Sequence, residues 1–216
     1  MEVEVVAENA VEKKTFKYDE VLAAAKKYFG NDLLAQVFTN KYALRDNDNV
    51  FHELTPGNLH DRLANEFARV DSEKYGLVFE ERRKVYRDAL HQFARVVAQG
   101  SPMAAIGNPL QLMSASNCVV IESPEDSIAG IMKSGTELAQ LMKRRCGVGV
   151  DISTLRPEGL AVNNAARTTS GACSFADFFS YVTRMIARNG RRGALLLTIS
   201  VNHPDVMKFA QMKNDK

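Results

Sequence analysis

Apolar residues recur every three to four positions through the first hundred residues; short apolar runs then alternate with helix-like stretches. Residues 1 to about 14 are polar, alternate weakly and read as a disordered or loosely paired arm. Asp19–Glu20–Val21–Leu22 opens a helix that Gly30 ends, and Asn31–Asp32 caps a second one through Leu33, Leu34, Val37 and Phe38. Thr55–Pro56 sets a capping hydroxyl before a proline at the first helical position, and Leu59, Leu63, Phe67 and Val70 follow on one face. A further amphipathic helix is predicted over 79–97, with Val85, Leu90, Phe93 and Val97 inward. Its charged run Glu80–Glu81–Arg82–Arg83–Lys84 reads as a solvated face.

Loop punctuation at Gln99–Gly100–Ser101–Pro102 and Gly107–Asn108–Pro109 marks a change. Beyond it the pattern predicts a buried-type strand over 118–122 and a helix over 124–145 with Ile128, Ile131, Leu138, Leu141 and Met142 on one face. A strand follows over 147–151, then an unperiodic loop over 156–171. A helix over 174–187 and an apolar strand over 194–200 come next. His203–Pro204–Asp205 opens a last helix through Val206, Phe209 and Met212. Strands joined by helices of this length imply parallel βαβ units, so the fold class is α/β. An N-terminal helical domain is expected over 1–98 and an α/β domain over 99–216. No strand follows the last helix, so the sheet it should cover is expected to be unfinished.

Composition narrows the picture. The net charge of +2 is too small to imply a nucleic-acid partner through bulk electrostatics. No apolar run is long enough to span a bilayer, and the acidic start Met1–Glu2–Val3–Glu4 lacks the order of a signal peptide. Cytoplasm is the expected compartment, with no membrane partner. Three cysteines, Cys118, Cys146 and Cys173, are too sparse for a disulfide framework, and no Cys/His spacing suggests a bound metal.

Several residues could carry chemistry. Cys118 sits at the mouth of an apolar strand, after the polar run Ser114–Ala115–Ser116–Asn117, where a thiol is held firmly and still faces a cleft. Asp126–Ser127–Ile128 is expected in the first turn of the next helix. There, free N–H groups attract an anion and a carboxylate can hold a ribose hydroxyl; plain capping is the other reading. Arg156 and Arg167 bracket the irregular loop and suit phosphate recognition, or are simply solvated. Arg188–Asn189–Gly190–Arg191–Arg192–Gly193 is a basic, glycine-hinged loop suited to anionic ligands. His203 is either a base or a structural histidine. Cys146 and Cys173 read as packing residues.

Six segments in order carry a resemblance. They are Gln99–Gly100–Ser101–Pro102–Met103, Ser116–Asn117–Cys118–Val119–Val120–Ile121, Asp126–Ser127–Ile128, Arg144–Arg145–Cys146–Gly147–Val148–Gly149–Val150–Asp151, Arg191–Arg192–Gly193–Ala194 and His203–Pro204–Asp205. Together they resemble the catalytic (large) subunit of ribonucleotide reductase, clearly from about residue 99 to 216 and more loosely over 18–97. The resemblance implies the first part of that family's ten-stranded α/β barrel, behind its N-terminal helical domain. Cys118 would be one of two cysteines that reduce the substrate and form a disulfide each turnover. Ser101, Asn117, Gly147, Arg191 and Arg192 would contact substrate. Asp126, Ser127, Ile128, Arg156 and Val162 would form the specificity site for a deoxynucleoside triphosphate or ATP effector near a dimer interface. The loop over 188–194 would switch between effector and substrate.

Departures from the family pattern shape the expectation. Arg188–Asn189–Gly190 stands where many members have a glutamine–glycine pair, so the effector-to-base code would differ. Asn117 replaces a common serine. No ATP-cone domain is recognisable. The thiyl-radical cysteine, the second reducing cysteine and the C-terminal shuttle cysteines lie beyond the matched stretch. The chain is therefore expected to be inactive alone, as a split product or a truncated piece. Expected partners are the C-terminal part of the large subunit, a second large subunit, a radical-generating small subunit, and thioredoxin or glutaredoxin as reductant. No cofactor is expected on the fragment itself. A dimetal partner subunit and adenosylcobalamin both remain open as radical source, as does diphosphate against triphosphate substrate. The alternatives are a non-catalytic nucleotide-binding regulatory or interaction module and an unrelated α/β protein with a structural thiol.

Overall fold

Residues 15–186 and 193–214 are described by a computed structural model, and the chain divides into two compact units between Ala115 and Ser116. The sequence pattern changes character at 98/99. The structural division lies later, which leaves the helix carrying Ser101 with the first unit.

The first unit holds α1 (Tyr18–Phe29), α2 (Asp32–Lys41), α3 (Pro56–Tyr75), α4 (Phe79–Leu90) and α5 (Gly100–Ala105). Local signals set the ends. Glu20 accepts the Lys17 N–H at 2.7 Å, Asn31 Oδ1 accepts the Leu34 N–H at 3.0 Å, and Asn58 Oδ1 accepts the Thr55 N–H at 3.0 Å. Val21, Ala25, Ala35, Phe38, Phe51, Leu59, Leu63 and Leu90 form the core. Each large side chain buried there contributes about 1.5–3 kcal/mol against exposure. Leu33 and Leu34 are exposed; Ala35 and Phe38 take the inner face of α2.

The predicted 79–97 helix ends at Leu90 and runs into a 3₁₀ turn, His91–Phe93. Gln92 and Phe93 have φ of 51° and 59°, which an α-helix does not allow. Val85 and Val97 point outward. The inner face of α4 is polar instead. Arg82 Nε and the Tyr86 hydroxyl both donate to Asp71 Oδ2 at 2.7 Å, Arg83 Nε donates to Asn65 at 2.6 Å, and Arg87 Nε donates to Asp61 at 2.7 Å. Part of the charged run read as a solvated face is thus the seam with α3. The Tyr86 hydroxyl and the Arg82 guanidinium hold the Asp71 carboxyl below its usual range.

The second unit follows the order β1 (Cys118–Val120), α6 (Ile128–Lys143), β2 (Gly147–Asp151), α7 (Gly171–Ile186), β3 (Leu195–Thr198), α8 (Val206–Gln211). Its three strands are parallel in the order β1-β2-β3, with Cys118 opposite Gly147 and Val148 opposite Leu195. The expected βαβ units are present as a small open sheet. Val148 and Val150 pack with Ile131 and Leu138 of α6 and with Ala172, Ala176, Phe179 and Val182 of α7. The helices therefore cover one face, set by the period of two along β2. β1 is shorter than predicted and is not a buried strand: Cys118 and Val120 are exposed. α6 begins at Ile128, because Ser127 Oγ takes the Gly130 N–H at 3.0 Å as its cap. α7 begins at Gly171, earlier than the predicted Ser174. No helix among the described residues is long and apolar enough to cross a membrane.

Candidate functional site

Cys118, Gly147 and Ala194 lie side by side at the amino ends of the strands, on the face without helices. A Cβ added at Gly147 would sit 3.3 Å from Cys118 Sγ and 3.1 Å from Ala194 Cβ. The missing side chain at 147 is what lets the thiol lie flat across the sheet. Val120, Gly149 and Leu196 continue the same face; Val120 and Leu196 are 79% and 65% exposed. Asn117 adds a backbone tie, its carbonyl accepting the Gly147 N–H at 2.7 Å.

The three thiols differ sharply. All are free, and Cys118 alone is exposed. Cys146 is buried with its Sγ 3.3 Å from the Gly147 carbonyl. Cys173 is buried at the start of α7, where burial pushes its thiol above the ordinary range.

A second cluster sits at the carboxyl ends. Asp126 precedes α6 rather than lying in its first turn, because Ser127 is the cap. Its carboxylate accepts Arg156 Nε at 2.6 Å and the Arg156 N–H at 3.2 Å, and its carbonyl accepts Arg156 Nη2 at 3.2 Å. Beside it the Thr154 hydroxyl donates to the Pro124 carbonyl at 2.6 Å. Two predicted effector residues thirty positions apart are thus brought together. Ile128 is exposed next to the cap. The 156–171 loop is not irregular throughout. Val162 donates to the Arg167 carbonyl at 2.8 Å and Thr169 to the Leu160 carbonyl at 3.0 Å, which makes a narrow antiparallel ribbon that carries Val162. Arg167 holds a φ of 65° at its turn. At the end of β2 the Ser153 hydroxyl, 2.6 Å from Asp151, holds that carboxyl below its usual range.

Ser101 is buried in α5 of the first unit. The device that fixes α5 was missed in the sequence. Arg62 Nη2 donates to the Met103 carbonyl at 2.9 Å, Nη1 donates to the Ile106 carbonyl, and Nε donates to Glu53 Oε1 at 2.7 Å. Glu53 Oε2 also accepts the Leu44 N–H at 2.9 Å. An arginine and a glutamate this far apart carry no spacing signal. Arg191 and Arg192, with most of the basic loop, lie outside the described residues.

His203, one candidate for a base, is structural. Its Nε2 donates to the Leu155 carbonyl at 2.7 Å and its Nδ1 accepts the Asp205 N–H at 3.0 Å, which fixes one neutral tautomer. Among the described residues no group of three or more His, Cys, Asp or Glu side chains could hold a metal ion.

Comparison with known proteins places this sheet. Residues 116–216 match the family described as ribonucleotide reductase, barrel domain. That segment, and more loosely the rest of the chain, is similar to a fragment of ribonucleotide reductase large subunits. It is 26% identical over 186 residues to the ribonucleoside-diphosphate reductase subunit alpha of Helicobacter pylori, covering 86% of this chain and 22% of that protein. It is 29% identical over 111 residues to the ribonucleoside-diphosphate reductase large chain of Cryptosporidium parvum, covering 50% and 14%. Against the vitamin B12-dependent ribonucleotide reductase of Rhodopirellula baltica it is 31% identical over 108 residues, covering 49% and 10%. The match spans under a quarter of the length of each of these relatives.

Proposed function

We propose that this chain supplies one reducing thiol, part of the substrate cradle and the specificity site to the reduction of ribonucleotides to deoxyribonucleotides. One observation carries the reading: of three thiols, Cys118 alone is exposed, and it lies over a glycine on the open face of the sheet. In the reaction the ribose C2′–O bond breaks, the oxygen leaves as water and a C2′–H bond takes its place. The two electrons come from Cys118 and a second thiol, which end as a disulfide. The buried thiols Cys146 and Cys173 do not suit that second role, so the remaining part of the large subunit would supply it, and these 216 residues alone would not turn over. Thioredoxin or glutaredoxin would restore the dithiol.

Ser101, Asn117, Gly147, Arg191 and Arg192 would contact substrate. Asp126, Ser127, Ile128, Arg156 and Val162 would hold a deoxynucleoside triphosphate. The radical starter would come from a cofactor or a partner subunit. A dimetal partner subunit and adenosylcobalamin are the two candidates. Co-expression with the complementary part of the large subunit tests the reading. Reductase activity that Cys118→Ser abolishes is the expected result; no activity in any such pairing, or activity indifferent to Cys118→Ser, would overturn it.

A second reading, a nucleotide-binding regulatory module, is favoured by one fact: the Asp126–Arg156 pair stands at the strand ends opposite Cys118 and does not need the thiol. Nucleotide binding that survives Cys118→Ser without any reconstituted activity would favour it.

A further inference from the structure

The backbone on both sides of Arg156 is held by one short motif. The Leu155 carbonyl accepts His203 Nε2 at 2.7 Å, and the Glu158 N–H donates to the Asp205 carboxylate at 3.1 and 3.2 Å. The same carboxylate accepts the Ala172 N–H at 3.1 Å, so it closes the far end of the Arg156–Val162 loop and satisfies a free donor at the start of α7. Asp205 and His203 are both buried, and the Asp205 N–H locks the His203 ring through Nδ1. Lys208 pairs with the Glu158 carboxylate outside this knot.

Position 171 shows how tightly the three segments meet. Gly171 has a φ of +82°, and a Cβ there would lie 2.7 Å from Asp205 Oδ2 and 2.6 Å from the Glu158 nitrogen. No side chain fits, and few residues other than glycine adopt that backbone. The loop is therefore pinned at Leu155, at Glu158 and at Ala172. Between the first two pins Arg156 projects its guanidinium onto Asp126, with Nε at 2.6 Å from the carboxylate. A planar five-donor fork gives up less freedom per phosphate contact when its plane is already fixed.

We propose that Asp205 and His203 are positioning residues for Arg156, and through it for binding of a deoxynucleoside triphosphate; the inference rests on the specificity-site reading above. Neither side chain touches the nucleotide. Their carboxylate and imidazole fix the peptide units that aim the guanidinium.

A double-mutant cycle tests this on the full 216-residue protein, titrated calorimetrically with dATP, dGTP, dCTP and dTTP in turn. At least one nucleotide should bind the wild type. Asp205→Asn should weaken that nucleotide tenfold or more, as should Arg156→Met. The double variant should be no weaker than Arg156→Met alone, because a positioning residue has nothing to act on once the guanidinium is gone. Effects that simply add would mark Asp205 as structural and overturn the proposal. A wild type that binds none of the four overturns the specificity-site reading and this inference with it; a wild type that binds while Asp205→Asn binds equally overturns this inference alone. If Asp205→Asn does not fold, amide hydrogen exchange on the wild type decides. Saturating nucleotide should slow exchange at Glu158 and Ala172 severalfold, because coupling between two events is reciprocal. Unchanged rates at both amides would refute it.

Discussion

The two units place their polar groups differently. The first buries them. Arg62 and Glu53 are 9% and 4% exposed at the side chain, and His60 is fully buried with neither ring nitrogen bonded. The second keeps an apolar core under its sheet and gathers polar groups where strands end: Asp126 with Arg156, Asp151 with Ser153, and His203 and Asp205 with the loop backbone. Interior polar networks fix one geometry, here that of α5. A polar pair at the strand ends that stays partly exposed, as Asp126 and Arg156 do, can exchange one partner for a ligand.

The sharpest break of this comparison is chemical. Cys118→Ser should abolish reduction in a reconstituted enzyme while leaving the folded second unit intact by circular dichroism. The next is energetic. Glu53→Ala leaves the Arg62 charge buried without its partner and should destabilise the first unit by about 3–5 kcal/mol. Residue-resolved hydrogen exchange should put the loss in α3 and α5, with β2 unchanged.

His60 sharpens the contrast with a pH dependence. Burial first, then the nearby Arg87 charge, lowers its pKa from 6.5 to about 4. The unfolded chain therefore binds a proton that the folded chain refuses. Stability is full above pH 6.5 and falls as the pH drops toward 4, by about 3 kcal/mol in total from the shift. Denaturant titrations across that window should show the fall, and His60→Leu should flatten it. A wild-type profile that is already flat would refute the assignment. Gly147→Ala should be milder for the fold, about 1 kcal/mol, since the new methyl meets Cys118 Sγ at 3.3 Å and Ala194 at 3.1 Å. It should slow reaction of Cys118 with a maleimide several-fold. Arg156→Lys should give the smallest effect, a loss of a few-fold in nucleotide affinity with no change in melting, since an exposed pair contributes little to stability.

What the sequence could show follows from the range of the interactions involved. The starts of α1, α2 and α3 were legible because their caps lie within three residues, as with Asn31 and Leu34. β2 was legible because its glycines and valines alternate. Cys118 was legible as an accessible thiol because polar residues precede it, but not as part of an uncovered strand. The end of α4 at Leu90 was not, since Val96 and Val97 extend the apolar spacing past a turn set by the φ of Gln92 and Phe93. The charged α3–α4 seam was hidden because its partners, such as Arg87 and Asp61, are far apart in the chain. Asp126 and Arg156 were each picked out, but their pairing came only from the parallel register. The role of His203–Pro204–Asp205 was the least legible: its partners, Leu155, Glu158 and Ala172, precede it by a helix and a strand.

The open strip of Val120 and Leu196 also bears on handling. β1 and β3 are both outer strands of the described sheet, and an uncovered apolar face between two unpaired edges is a template for sticking to other chains. Purified by itself, the polypeptide should bind a solvatochromic dye and self-associate as concentration or salt rises. Val120→Lys, at the outermost position of that strip, should keep it dispersed.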